Sequence, residues 1–123
     1  MRNRLLLELN YDNKLSDEVD VRKIRGFCID LSHFQASKDR GTKEYDYVMK
    51  YKNNKSLFIA NHLNGYDSKR KRDMHWVKSL KDFDYLKTLP KFLFGEYIAL
   101  EVFNPIKEQL RFKEYVAKVL GEV

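Results

Sequence analysis

Residues 61–73 read "NHLNGYDSKRKRD": a histidine at the end of an apolar run, a turn, then four consecutive cations. Two readings fit these residue types. Lys69, Arg70, Lys71 and Arg72 can neutralise phosphates along a nucleic-acid backbone. Alternatively they are the solvated start of a helix, where four positive charges repel one another and oppose the helix dipole, a cost that an anionic partner would relieve. Lys78, Lys81, Arg111 and Lys113 are weaker candidates for the same contact. Nucleophile-and-base patterns are absent: there is no glycine-rich phosphate loop, no nucleophile elbow and no histidine pair at metal-binding spacing. His33 and His75 stand isolated and carry no assigned role. Trp76 reads as a stacking or interface anchor, or as a core residue. Cys28 reads as a small core residue, and a single cysteine excludes a disulfide framework.

The elements that must position these residues follow from pattern. With 123 residues, 43% of them hydrophobic and 14% aromatic, the chain is expected to form one domain, 1–123, with its own core. No run approaches the length of a membrane span, and the start has too short an apolar run for a secretory signal. An intracellular, cytoplasmic protein is therefore expected. "RLLLEL" (4–9) reads as a buried strand. Ser16 as cap, with Val21, Ile24, Cys28 and Leu31 at helical spacing, predicts a helix over 16–36, although "FCIDL" also suits a strand. "YDYVMKY" and "SLFIANHL", separated by "KNNK", predict a hairpin. Met74, Val77, Leu80 and Phe83 predict a second helix over 69–83. "FLFGEYIALEVF" (92–103) predicts a long strand with Gly95 as a bulge. Asn104, Pro105, Glu108 and Gly121 delimit a last helix. The expected fold is α+β, a ferredoxin-like β-α-β-β-α-β core with an additional C-terminal helix.

In such a hairpin, a turn at Asn53-Asn54 sets Tyr45, Tyr47, Met49, Tyr51, Phe58 and His62 on one sheet face. If that face is open, Tyr45, Tyr47, Tyr51 and Phe58 can stack on unpaired bases while the 69–72 cations hold the backbone. If it is closed, the same rings fill the core.

"HLNGY" (62–66) and "YVAK" (115–118) resemble two motifs of the rolling-circle replication initiators of small circular single-stranded DNA viruses and plasmids, in the HUH endonuclease superfamily. The resemblance implies a ferredoxin-like nuclease domain in which His62 and Asn64 help hold a divalent metal (Mg or Mn). Tyr115 would attack the phosphate and Lys118 would assist. It assigns no acidic ligand.

The leading expectation is a binding domain rather than an enzyme: a small basic protein, +6 at neutral pH, that takes single-stranded DNA or RNA through a sheet face and residues 69–72 and requires no cofactor. A protein-interaction module that inhibits or regulates a nucleic-acid enzyme, such as a phage or mobile-element inhibitor or an immunity factor, is the alternative. The metal-dependent tyrosine nickase is the third. Partners are accordingly nucleic acid or a nucleic-acid-processing protein, and no membrane.

Overall fold

A computed structural model describes residues 4–9 and 20–121. They form a mixed α+β domain around a four-stranded sheet: β1 (Leu6–Leu7), β2 (Gly26–Asp30), β3 (Phe58–Leu63) and β6 (Tyr97–Leu100), adjacent in that order and all parallel. Helices α1 (Leu31–Arg40) and α2 (Lys43–Lys50) cross from β2 to β3. A short antiparallel hairpin, β4 (Gly65–Asp67) and β5 (Arg72–Met74), followed by 3-10 turns at Leu80–Thr88 and Lys91–Leu93, crosses from β3 to β6. Helix α3 (Ile106–Gly121) closes the chain on the Leu80–Thr88 segment. Among the described residues no helix is long and apolar enough to cross a membrane.

The ferredoxin-like order is thus replaced by a parallel sheet, and the reason lies in residues 43–51. Tyr45, Tyr47, Met49 and Tyr51 alternate like a strand, but Glu44, Tyr47, Val48 and Tyr51 also recur at helical spacing. The second period wins: Glu44, Tyr47 and Val48 are the buried face of α2, and Glu44 and Asp46 in its first turn complement the helix dipole. No 45–63 hairpin exists. Tyr47 and Phe58 instead close on Phe27, with ring centroids 5.9 and 5.4 Å apart. The helix predicted over 16–36 is likewise corrected. Its start lies outside the described residues, 26–30 is a strand, and helix begins only at Leu31. The aromatic Phe27 and β-branched Ile29 favour the strand, and Gly26 admits the close approach of the Leu57 carbonyl, 2.5 Å from where a Cβ would stand. Asp30 then caps α1 by accepting from the His33 N–H at 3.2 Å, and Gly41, at φ 70°, ends it in the left-handed region.

The helix predicted from 69 does not form either. Residues 69–71 are the turn of the β4–β5 hairpin, with Lys71 at φ 54°. Asp67 Oδ1 accepts from the N–H groups of Lys69 and Arg70 at 3.0 and 3.1 Å, an Asx turn, and the cations escape the unfavourable helix N-terminus. The last helix forms as expected, but the buried Asn104 amide clamps Val77 from both sides (2.9 Å each way) instead of capping it.

Side chains alternate across the sheet. A register shift between Phe27 and Cys28, opposite Phe58 and Ala60, interrupts the alternation in β3, so that Phe27, Ile29, Phe58 and Leu63 all enter the core, with Ile98 and Leu100 packed against it. The opposite face carries Leu6, Cys28, Ala60, Tyr97 and Ala99, of which Leu6, Tyr97 and Ala99 are exposed. Cys28 is half-buried on that face, not in the core as predicted.

Gly95 is the close approach that lets β6 dock on β3. A Cβ there would stand 2.3 Å from the Ile59 carbonyl, and the Gly95 N–H donates to the buried Asn61 side chain at 2.7 Å. Because the obstructing atoms are backbone, Gly95→Ala is expected to cost about 3 kcal/mol or more, read as a fall in the urea midpoint at unchanged m-value.

Candidate functional site

In parallel sheets ligands collect beyond the carboxyl ends of the strands. Here that edge is built from four apolar runs, each closed by a titratable side chain: Glu8 after β1, Asp30 ending β2, His62 in β3 and Glu101 after β6. Register sets them side by side, with Asp30 opposite His62 and His62 opposite Ala99, two residues before Glu101. His62 Nδ1 lies 3.3 Å from Glu8 Oε1 and 3.3 Å from Glu101 Oε2. The nearest ligand atoms of Glu8, Asp30 and His62 are all within 4.8 Å of one another.

Around this group the buried Asp30 carboxylate is held on every side. Oδ1 accepts from Ser32 Oγ at 2.9 Å and Oδ2 accepts from Asn64 Nδ2 at 3.3 Å. Ser32 Oγ also meets Asn64 Oδ1. Asn64 is fully buried, and its carbonyl accepts the Tyr85 hydroxyl at 2.8 Å. Burial, with Asp30 and Asp73 nearby, raises the Tyr85 phenol well above its ordinary pKa, so Tyr85 stays a neutral donor.

The hairpin adds a second tier. Asp73 Oδ2 lies 2.8 Å from His75 Nε2 and 3.3 Å from His33 Nε2, and His33 Nδ1 is 3.8 Å from Asp30. His75 Nδ1 contacts the Glu101 carbonyl at 3.1 Å. All three histidines of the chain therefore interleave with four carboxylates at one edge. Burial disfavours the His33 imidazolium, but the Asp73 hydrogen bond and the Asp30, Asp73 and Glu8 charges outweigh it and raise its pKa. Burial first, then the charges of Glu8, Asp30 and Glu101, push the Cys28 thiol up to about 11. In a chain of net charge +6, Glu8, Asp30 and His62 bring two carboxylates and an imidazole near enough together that one ion could be shared among them. Two carboxylates and one imidazole at hard-oxygen spacing suit Mg²⁺ or Mn²⁺ at about 2.1 Å.

Of the residues singled out from sequence, His62 lies in this cluster, and Asn64 lies behind it, bonded to Asp30 rather than facing the cluster as a ligand. Lys69, Arg70, Lys71 and Arg72 are exposed at the tip of the hairpin that supplies Asp73 and His75, and Arg40 Nε holds that tip through the Lys71 carbonyl at 2.7 Å. Tyr45, Tyr47, Tyr51 and Phe58 do not form an open sheet face: Tyr47 and Phe58 are buried and the other two are half-buried against the core. Tyr115 is held elsewhere, its hydroxyl donating to Asp84 at 2.6 Å. That bond raises its pKa, the opposite of what activates a nucleophile. Lys118 is exposed on α3.

Glu8, Asp30, His33, Asp73, His75 and Glu101 were not found from sequence. The signal was present in "LLLE", "FCID", "FIANH" and "YIALE", where a strand-like run ends in a charge each time, but it acquires meaning only once the strands are known to be parallel. Comparison of the chain with protein-family models, with curated proteins and with solved structures finds no match for it.

Proposed function

We propose that the chain is a divalent-metal-assisted phosphodiesterase acting on nucleic acid. The observation that carries this reading is the convergence of Glu8, Asp30 and His62 from three adjacent parallel strands within ligand-sharing distance. The cation would supply Lewis-acid polarisation of a phosphoryl oxygen. The protein's own residues do the rest. Asp30, fixed by Ser32, Asn64 and the α1 N-terminus, and His62, fixed by strand register, keep the donor atoms in place. The His33–Asp73–His75 chain can accept a proton from the attacking water and return one to the leaving alkoxide as the P–O ester bond breaks.

Nucleic acid is favoured because the cations at 69–72 follow directly on the same hairpin. Arg72 adjoins Asp73, and at about 3.3 Å per residue the turn lies roughly 7–14 Å from it. Phosphates bound there continue a backbone whose scissile group sits at the cluster. Water is the better nucleophile than Tyr115, whose hydroxyl is committed to Asp84.

The test is a thermal melt in EDTA and in Mn²⁺, beside a denaturing gel of labelled single- and double-stranded substrates. A site that binds the folded chain alone gains about 2.7 kcal/mol at one hundred times its Kd, roughly 8–14 °C in Tm for a domain of this size. Cleavage should require the ion. A melt indifferent to Mn²⁺ and Mg²⁺, with intact substrate in every lane, would remove the reading.

A further inference from the structure

We infer that Phe103 and Trp76 form a stacking platform for unpaired bases, so that the ligand of this edge is a single-stranded nucleic acid. The proposal rests on the phosphodiesterase reading for where the backbone runs, but not for the base contacts themselves.

Seven large apolar side chains are exposed among the described residues, and four of them stand on two segments tied together at 75–77 and 103–104 or on the helix that follows: Trp76 (52% exposed), Phe103 (77%), Ile106 (76%) and Leu110 (58%). Scattered exposed hydrophobics need no explanation, but two exposed aromatic rings on adjoining segments do. The junction is rigid. The Phe103 N–H donates to the His75 carbonyl at 2.7 Å, and the buried Asn104 side chain clamps Val77 in both directions, so the 75–77 and 101–104 segments are tied side by side.

The junction also touches the site. The Phe103 ring lies 5.4 Å from the His75 ring, inclined at 33°, while His75 Nε2 contacts Asp73 at 2.8 Å. A ring stacked on one member of the cluster and open over most of its surface meets whatever extends past that member. Charge selects the occupant. Trp76 follows two residues after the hairpin whose turn carries Lys69 to Arg72, and flat rings flanked by cations are the combination that holds single strands. A duplex hides its base faces within its own stack and presents nothing for these rings to stack on. An apolar partner surface would have no use for the cations.

The experiment is fluorescence anisotropy in EDTA with a labelled single strand, an abasic strand of the same length and a duplex. It uses the wild type, Phe103→Ala and Phe103→Leu, with the emission of Trp76, the chain's one tryptophan, recorded in parallel. Because Phe103 is exposed, both variants should melt like the wild type. The wild type should bind the base-containing strand about 5- to 150-fold more tightly than Phe103→Ala does. Phe103→Leu should recover little of that, since area without a flat face does not stack. Trp76 emission should respond to the base-containing strand and not to the abasic one.

Equal binding of both strands by the wild type, or equal affinity in wild type and variants, overturns the platform. So does a wild-type dimer that Phe103→Ala dissolves in sedimentation, which would assign the patch to a second copy. Base-dependent binding that persists although Mn²⁺ produces no cleavage would sink the phosphodiesterase reading and leave the platform standing.

Discussion

Asp30→Asn is expected to lower metal-dependent cleavage by at least about 100-fold while the domain remains folded. That floor is what loss of even an outer partner can cost a metal site, and Asp30 is an inner one. The substitution is chosen because the carboxylate has two separable duties. As a cap it accepts the His33 N–H and the Ser32 hydroxyl on Oδ1, and an asparagine oxygen can do both. As an anion at the centre of the cluster it has no neutral substitute. On its other side Asn64 Nδ2 donates to Oδ2, and the new amide would face it donor to donor, so the Asn64 amide must turn or a hydrogen bond is lost. The fold should therefore weaken by about 1–3 kcal/mol, within what a domain of this size tolerates. Asp30→Ala by contrast removes the cap and strands Ser32 and Asn64 in a buried place, and should lose stability and activity together. The pair of variants, compared by urea midpoint and by cleavage rate at saturating Mn²⁺, separates the duties. A folded Asp30→Asn protein that cleaves at the wild-type rate would show that the cluster is structural.

The mixed α+β class and the last helix were legible in the chain, and what was not has identifiable causes. The final helix was plain because cap, period and stop agreed over one stretch. The strands read at 4–9 and 92–103 form only over Leu6–Leu7 and Tyr97–Leu100: Leu5 and Leu6 are exposed, and Pro90 leads into a 3-10 turn at Lys91–Leu93 instead of a strand. Residues 43–51 failed because their tyrosines satisfy a period of two and a period of 3.6 at once, and packing of Tyr47 on Phe27 decides between them. That ambiguity, with the helix read over 16–36 where Gly26–Asp30 is a strand, turned a parallel sheet into a predicted antiparallel one. Once the strands are antiparallel, Glu8, Asp30, His62 and Glu101 no longer share an edge, so the cluster vanished with the topology. His33 and His75 looked isolated for a related reason: they are 42 positions apart in sequence, and only Asp73, on a hairpin that was read as helix, joins them. Trp76, for which core was one of the two readings, is half exposed, and Asn104, read as a helix cap, spends its amide on Val77 instead. The basic run was found correctly and placed wrongly. Its repulsion argues against a helix N-terminus, and the chain resolves that by making it a turn.

Replacing Lys69, Arg70, Lys71 and Arg72 together by alanine is expected to flatten the salt dependence of single-strand binding. Each phosphate neutralised contributes about 0.7 to the slope of log affinity against log salt, so four contacts account for a slope of about three. At low salt the affinity should fall by orders of magnitude, and at high salt the wild type and the variant should converge. Stability should change by no more than about 0.5 kcal/mol, since all four side chains are exposed. The turn itself is set by Asp67 and by the Arg40 contact to the Lys71 carbonyl, which alanine leaves in place. Lys71 sits at φ 54°, where alanine is no worse than lysine. The contrast with Phe103→Ala gives the result its force. Stacking is not a counterion-release effect, so that variant should lower affinity at every salt concentration and leave the slope alone. A quadruple variant whose slope matches the wild type would mean that the tip is a solvated turn and that the backbone of any ligand runs elsewhere. Two variants moving two different parameters, slope for the hairpin tip and base dependence for the rings, would place backbone and bases on opposite sides of the carboxylate–histidine edge.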